Sequence, residues 1–425
     1  MLKQPVLRSK AFFSVVTSLI MILAALSACA QDPSASPTFS SQLPITIGTS
    51  LSSTGSHAAD GAAMQQGYLL WQQAVNNNGG LLGHPVQLVI LHDDSTTAKV
   101  VSNYNTLIHK DHVDLLFGPF SSTLTKVSAP VAAQSGFAFI EGSGEAQSIF
   151  NLKLHNLFAV SLPASNDLLT FVYYILSLPL SLRPKTAAYA TSDDPFTTSQ
   201  LDVARQLLEQ GGVTTLYNNI AHPYPTEDPN YVTKYIPSVA EQVVATNAQV
   251  DILGTVLPDV QMYIKIFKQD HYNPRALIAT AGPDLGQDFV RAVGGFKYTE
   301  GMFVPNGWYP QSSNFQNIEM VQAYLAKYGG NADQINADVA EGFSVGQVLE
   351  QAVDKTQSIN NAKIIAELHS GDVFNTVQGT AQFTPDGQNA QAISYLFQWQ
   401  SGQFIPVYPL SVAAQNPEFP RSPNY

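Results

Sequence analysis

From Pro44 onward, short apolar runs alternate with longer stretches in which apolar residues return every three or four positions. Ile45–Thr49 reads as a strand, followed by the polar loop Ser52-Ser53-Thr54-Gly55-Ser56. Met64, Tyr68, Trp71 and Val75 share one face of a helix that Asp60 is expected to cap and Gly79-Gly80 to end. Val86–Leu91 predicts a second strand. Val100, Val101, Tyr104, Leu107 and Ile108 line the next helix, and Val113–Phe117 predicts a third strand. Gly118-Pro119-Phe120-Ser121-Ser122 turns into a helix running to about Gln134, with a strand at Phe137–Ile140 behind it. The rhythm restarts around Ser161-Leu162-Pro163. Strands at Thr186–Ala190, Val213–Tyr217, Asp251–Val256 and Ala276–Ala279 are then separated by helices ending near Glu209, spanning Tyr231 to Ala245, and following Pro258. Strands alternating with helices imply βαβ units and parallel sheets, so an α/β fold of two Rossmann-like lobes is expected. The proline-rich His222–Pro229 segment predicts a loop, and Phe171, Tyr173 and Tyr174 lie in an apolar run that reads as core.

The first forty residues follow another pattern. Lys3, Arg8 and Lys10 precede an apolar run from about Ala11 to Ala25 that is too short for a membrane span, which reads as an export signal. Leu26-Ser27-Ala28-Cys29 contains the only cysteine of the chain and resembles the lipobox of bacterial lipoproteins. That resemblance implies a signal peptide over 1–28, a diacylglycerol on Cys29, and attachment to the outer face of the cell membrane (the periplasm, where the host has an outer membrane). Residues 29–42, rich in Ser and Pro without apolar period, then form a flexible tether. Removing 28 residues leaves 397, enough for two domains with proper cores, and takes the net charge from −12 to −15. An acidic exported chain is poorly suited to nucleic acid or anionic lipid. With no second cysteine, disulfides and Cys-ligated metal are excluded.

Ligands of open α/β sheets bind beyond the carboxyl ends of the strands, where helix starts offer N–H groups. Three turns there combine small residues with hydroxyls: Ser52–Ser56, Ser121-Ser122-Thr123 and Gly142-Ser143-Gly144-Glu145. Together they predict an anion-binding mouth, although each alone reads equally as a helix cap. Enzyme motifs are missing: there is no Gly-x-Ser-x-Gly elbow, His-Glu-x-x-His or Walker loop, and Gln147 stands where a dinucleotide fingerprint needs its third glycine. His109-x-x-His112 lacks a third ligand and reads as a solvated helix end. No catalytic residue, metal site or cofactor is expected.

Four stretches and a hairpin carry a family resemblance. Ile47–Gly61 (IGTSLSSTGSHAADG), Asn76–Pro85 (NNNGGLLGHP), Phe117–Pro130 (FGPFSSTLTKVSAP), Ala281-Gly282-Pro283-Asp284 and Gly379–Asn389 (GTAQFTPDGQN) resemble the type I periplasmic binding proteins, in their branched-chain amino-acid-binding group of ABC-importer receptors. The resemblance implies two lobes joined by three crossings near 162, 297 and 378: residues 43–162 with 298–378, and 163–297 with 379–425. It makes Ser122 the ligand-carboxylate partner, with Ser143 and Glu145 in the same mouth. Asp284 becomes the ammonium partner, and Phe196 stands where the family often has a tyrosine. Glu145 replaces a usual threonine and Asp60 a usual aromatic, which argues against a simple aliphatic ligand. The implied partners are a small solute, an amino acid or analogue, and a membrane permease. A ligand sensor of the same fold and an exported hydrolase are the alternatives.

Overall fold

The computed structural model of the chain describes residues 42–223 and 230–421. The expected leader, Cys29, all of the tether but Gln42, and positions 224–229 of the proline-rich segment lie outside the described residues. Among those described, no helix is long and apolar enough to cross a membrane.

Two sheets organise the fold. Strands β1 (Ile45–Leu51), β2 (Val86–His92), β3 (Leu115–Phe117), β4 (Phe139–Glu141) and β5 (Leu157–Ala159) pair in the order β2-β1-β3-β4-β5, all parallel. Strands β6 (Thr186–Asp193), β7 (Thr214–Pro223), β8 (Val250–Gly254), β9 (Ala276–Ala279) and β10 (Phe303–Asn306) form the parallel part of the second sheet. After the separate small hairpin β11 (Phe374–Thr376) and β12 (Gly379–Ala381), β13 (Tyr395–Gln400) and β14 (Gln403–Tyr408) add an antiparallel edge. The second order is β14-β13-β10-β9-β8-β6-β7. Central strands such as β8 are buried at every position, because helices cover both faces of a parallel sheet. In both sheets the strand order reverses beside the first strand: β1 lies between β2 and β3, and β6 between β7 and β8. The carboxyl ends flanking such a reversal leave a crevice.

A pair of twenty-residue helices, Ala58–Asn77 and Ala337–Thr356, packs against the first sheet. Their approach is close enough that a Cβ on Gly67 would lie 2.2 Å from the carbonyl oxygen of Val339, and one on Gly342 2.5 Å from that of Met64. The contact holds the amino ends of both helices at the same rim. The first core gathers Tyr68, Trp71, Phe117 and Phe343; the second gathers Tyr263, Phe267, Phe397 and Trp399.

Several expectations need correction. Asp60 does not cap its helix, which begins at Ala58 with His57 at the cap position; Asp60 sits in the first turn. Strand β7 continues to Pro223 and takes in His222, whose buried ring lies 2.8 Å from the Asp259 carboxylate. Tyr173 is 52% exposed, while Phe171 and Tyr174 are core. The second crossing falls after Asn306 rather than near 297, because β10 pairs with β9 and β13. The third falls after Asn389 rather than near 378. Phe374, Val377 and Phe383 are built into the first core, and Asn389 Nδ2 still donates to Val160 O at 2.8 Å.

Candidate ligand-binding site

The carboxyl ends of the two sheets face each other across a cavity of about 120 Å³. All six residues singled out in the sequence border it: Asp60, Ser122, Ser143, Glu145, Phe196 and Asp284. His109 and His112 are exposed and remote from it, as a solvated helix end requires.

Each wall is set by local chain chemistry. Behind β3, Ser121 adopts φ 80° and its hydroxyl accepts from Leu124 N, starting the helix Ser122–Gln134. Ser122 Oγ accepts from the amides of Glu145 and Ala146, both at 3.1 Å, which binds the turn after β3 to the turn after β4. Ser143 Oγ accepts from Ser121 N at 2.9 Å. Glu141, buried at the end of β4, takes the amides of Ser143, at 2.9 Å, and Gly144 on one oxygen. Five backbone donors of the expected anion mouth are therefore engaged inside the protein. From the second sheet, Asp194 caps the helix Pro195–Gln210, accepting from Phe196 N at 2.8 Å. Its other oxygen accepts from Thr123 Oγ1 of the opposite lobe at 2.9 Å. Asp284 folds back on Gly282 N at 2.8 Å.

The electrostatics are one-sided. Asp60, Glu145, Asp338 and Glu341 come from the first lobe, and Asp167, Asp194 and Asp284 from the second. No Lys or Arg borders the cavity among the described residues. Burial, aided by the charge of Asp284, pushes the Asp60 carboxyl up to about 7. Burial and Asp284 do the same to Asp167, also to about 7, and burial lifts Asp284 itself to about 6. Burial followed by the charges of Asp167, Glu141 and Asp338 holds Glu145 well above the usual carboxylate range. Asp338 and Glu341 are raised in the same way, first by burial and then, for Asp338, by Glu341 and Asp60 and, for Glu341, by Glu145 and Glu141. His57 is the one basic side chain at the cavity, and burial lowers it to about 4, so it is neutral at pH 7. Phe120, Phe196, Leu162 and Val256 supply apolar wall between the acids. No group of three His, Cys, Asp or Glu among the described residues is arranged to hold a metal ion.

Four acids of this set escaped the sequence reading. Asp167 ends the one-turn helix Ala164–Asp167 and Asp194 caps the helix that follows β6. Asp338 and Glu341 reach the cavity only because the Gly67–Gly342 contact carries their helix to the rim. Asp194 followed by Pro195 was the one available cue, since an acid before proline is a common helix start.

Comparison with known proteins agrees with this architecture. The profile of the periplasmic binding protein family matches residues 44–403. A Leu/Ile/Val-binding protein homolog of Brucella melitensis is 21% identical over 365 residues, covering 85% of this chain and 93% of the relative. Among solved structures, the branched-chain amino acid transporter substrate-binding protein LivJ of Streptococcus pneumoniae, in complex with isoleucine, superposes with a TM-score of 0.73 at 17% identity, covering 85% of this chain and 97% of its own. An ABC transporter solute-binding protein of R. palustris, in complex with benzoate, gives 0.70 at 17% identity, covering 88% and 98%. Two such different ligands on one fold mean that the architecture leaves the solute open. The family profile over residues 44–403, on two α/β lobes whose strand ends enclose a common cavity, establishes that the chain belongs to the periplasmic binding protein family.

Proposed function

We propose that this chain is the extracytoplasmic solute-binding component of an ABC importer, taking a small polar solute of positive charge, an amino acid or related compound, between its lobes. The observation that supports the charge is the cavity wall: seven carboxylates from both lobes and no Lys or Arg among the described residues. The open form admits solute, contacts from both lobes hold the closed form, and a membrane permease senses closure. The chain performs no covalent chemistry in this reading. Cys29 carries the lipid that keeps the globule at the membrane surface, with the residues up to 42 as tether. A thermal-shift panel of leucine, valine, glutamine, arginine and small polyamines tests the ligand side. Stabilisation by arginine or polyamines supports the proposal. Stabilisation by leucine and valine alone removes the positive charge from it, and a response to none of a broad solute panel removes the solute-binding role.

A further inference from the structure

We infer that the solute is an aliphatic diamine or polyamine with no carboxylate of its own. This rests on the solute-binding reading above and narrows it by asking what could seat the carboxylate of an amino acid. The turns after β3 and β4 are the natural place, since they bring a helix start and several amides together. Five of their amides are already engaged from within. Glu141 occupies the amides of Ser143 and Gly144, Ser122 Oγ those of Glu145 and Ala146, and Ser143 Oγ that of Ser121. The O–H of Ser122 and the first amides of its helix remain, beside Glu145 and without a cation on the wall. A ligand carboxylate would be an eighth acidic group in the cavity.

A second observation points to the same chemistry. Glu145 is 8% exposed, borders the cavity, and accepts no hydrogen bond among the described residues. Glu341, half-buried on the Ala337–Thr356 helix, also borders the cavity and likewise accepts none among the described residues. Buried carboxylates ordinarily have donors. An ammonium supplies three donors and the missing charge at once. Acids stand on both lobes, so one ammonium at each wall leaves a methylene chain between them. The apolar surface of Phe120, Phe196 and Leu162 suits such a chain.

Matched pairs that differ only by the carboxylate give the test. Calorimetry on the full chain, unfolded and refolded to strip bound solute, compares 1,5-diaminopentane with L-lysine and 1,4-diaminobutane with L-ornithine. At least one diamine should bind tenfold or more tighter than its amino acid. Glu145→Gln should weaken that diamine about tenfold while leaving the solute-free melting temperature equal or higher, since it removes an unpartnered buried carboxyl crowded by other acids. Lysine or ornithine binding as tightly as its diamine overturns the inference and leaves the cationic solute reading intact. Leucine or valine binding in place of all four removes both the diamine and the positive charge. No binding by any probe overturns the inference, and with a silent broad panel it also ends the solute-binding role.

Discussion

Among the described residues, the bond from Thr123 to Asp194 is the one direct side-chain hydrogen bond between the acid-lined walls of the two lobes, and Thr123→Val tests what it does. Thr123 Oγ1 and Asp194 Oδ2 are 2.9 Å apart, and the residues are 8% and 6% exposed. A hydrogen bond to a charged acceptor in such a place contributes about 1.5–3 kcal/mol. It exists only when the lobes meet; once they part, water solvates both groups. Valine matches threonine in volume but leaves the Asp194 oxygen buried without its donor, so the cost falls on the closed form alone. At about 1.4 kcal/mol per factor of ten, ligand affinity should drop roughly 10- to 100-fold. The helix cap is untouched, because Asp194 uses its other oxygen for Phe196 N. The solute-free melting temperature should therefore stay near that of the parent. Calorimetry gives the affinity, and small-angle scattering with saturating ligand gives the fraction closed. An affinity within twofold of the parent, with equal compaction, would refute the claim that this contact stabilises closure.

Three further outcomes follow from the same structure. The solute-free globule should melt higher at pH 5 than at pH 8: Asp60, Asp167 and Glu141 are raised to about 7 and Asp284 to about 6, so the native state binds more protons than the unfolded one between about pH 4 and 7 and loses stability as pH rises through that window. Scanning fluorimetry showing a rise in stability across that window would contradict it. Gly342→Val should cost about 1–3 kcal/mol or more through overpacking against the Met64 carbonyl, 2.5 Å from the new Cβ, read as a lower denaturation midpoint at unchanged slope. Cys29→Ser should yield an intact globule that no longer partitions into membranes or detergent; retention on membranes at high salt would defeat the lipid-anchor proposal.

How far the sequence carried depended on whether the signal was local. The βαβ rhythm fixed both lobes because each strand run and helical face is contained in a dozen residues. Ser122, Ser143 and Glu145 border the cavity because a strand-end turn can be read one strand at a time, whereas Asp60, Phe196 and Asp284 were singled out only through the family resemblance. What failed was information that spans the fold. β10, with the short run Phe303–Asn306 and a proline inside it, gives no strand signal; only pairing with Ile278 and Gln398 defines it. The second crossing was misplaced for that reason. Asp338 and Glu341 were invisible because their helix reaches the rim through a glycine contact made with residues some 275 positions earlier. The expected anion mouth is a different case. Its hydroxyls and amides are where the sequence put them, but the protein's own Glu141 and serine hydroxyls engage five of those amides.

The seven carboxylates also bear on how the hinge works. With the lobes apart each acid faces water, and their mutual repulsion is screened. Closure brings four of one lobe toward three of the other with no fixed cation between them. Two charges about 8 Å apart at an effective dielectric near 20 repel by about 2 kcal/mol, so even a few such pairs exceed what one interlobe hydrogen bond returns. Closure then needs either protons or positive charge, and the raised carboxyls of Asp60, Asp167 and Asp284 are the proton side of that choice. In the reading proposed above, a cation bound between the walls closes the lobes where protons do not neutralise the set. On that proposal charge is the condition for closure, with shape a secondary filter set by the apolar wall. A neutral solute that fitted the cavity would still leave the acids facing one another. In the importer reading, a permease that senses closure receives a signal gated by the charge of the solute.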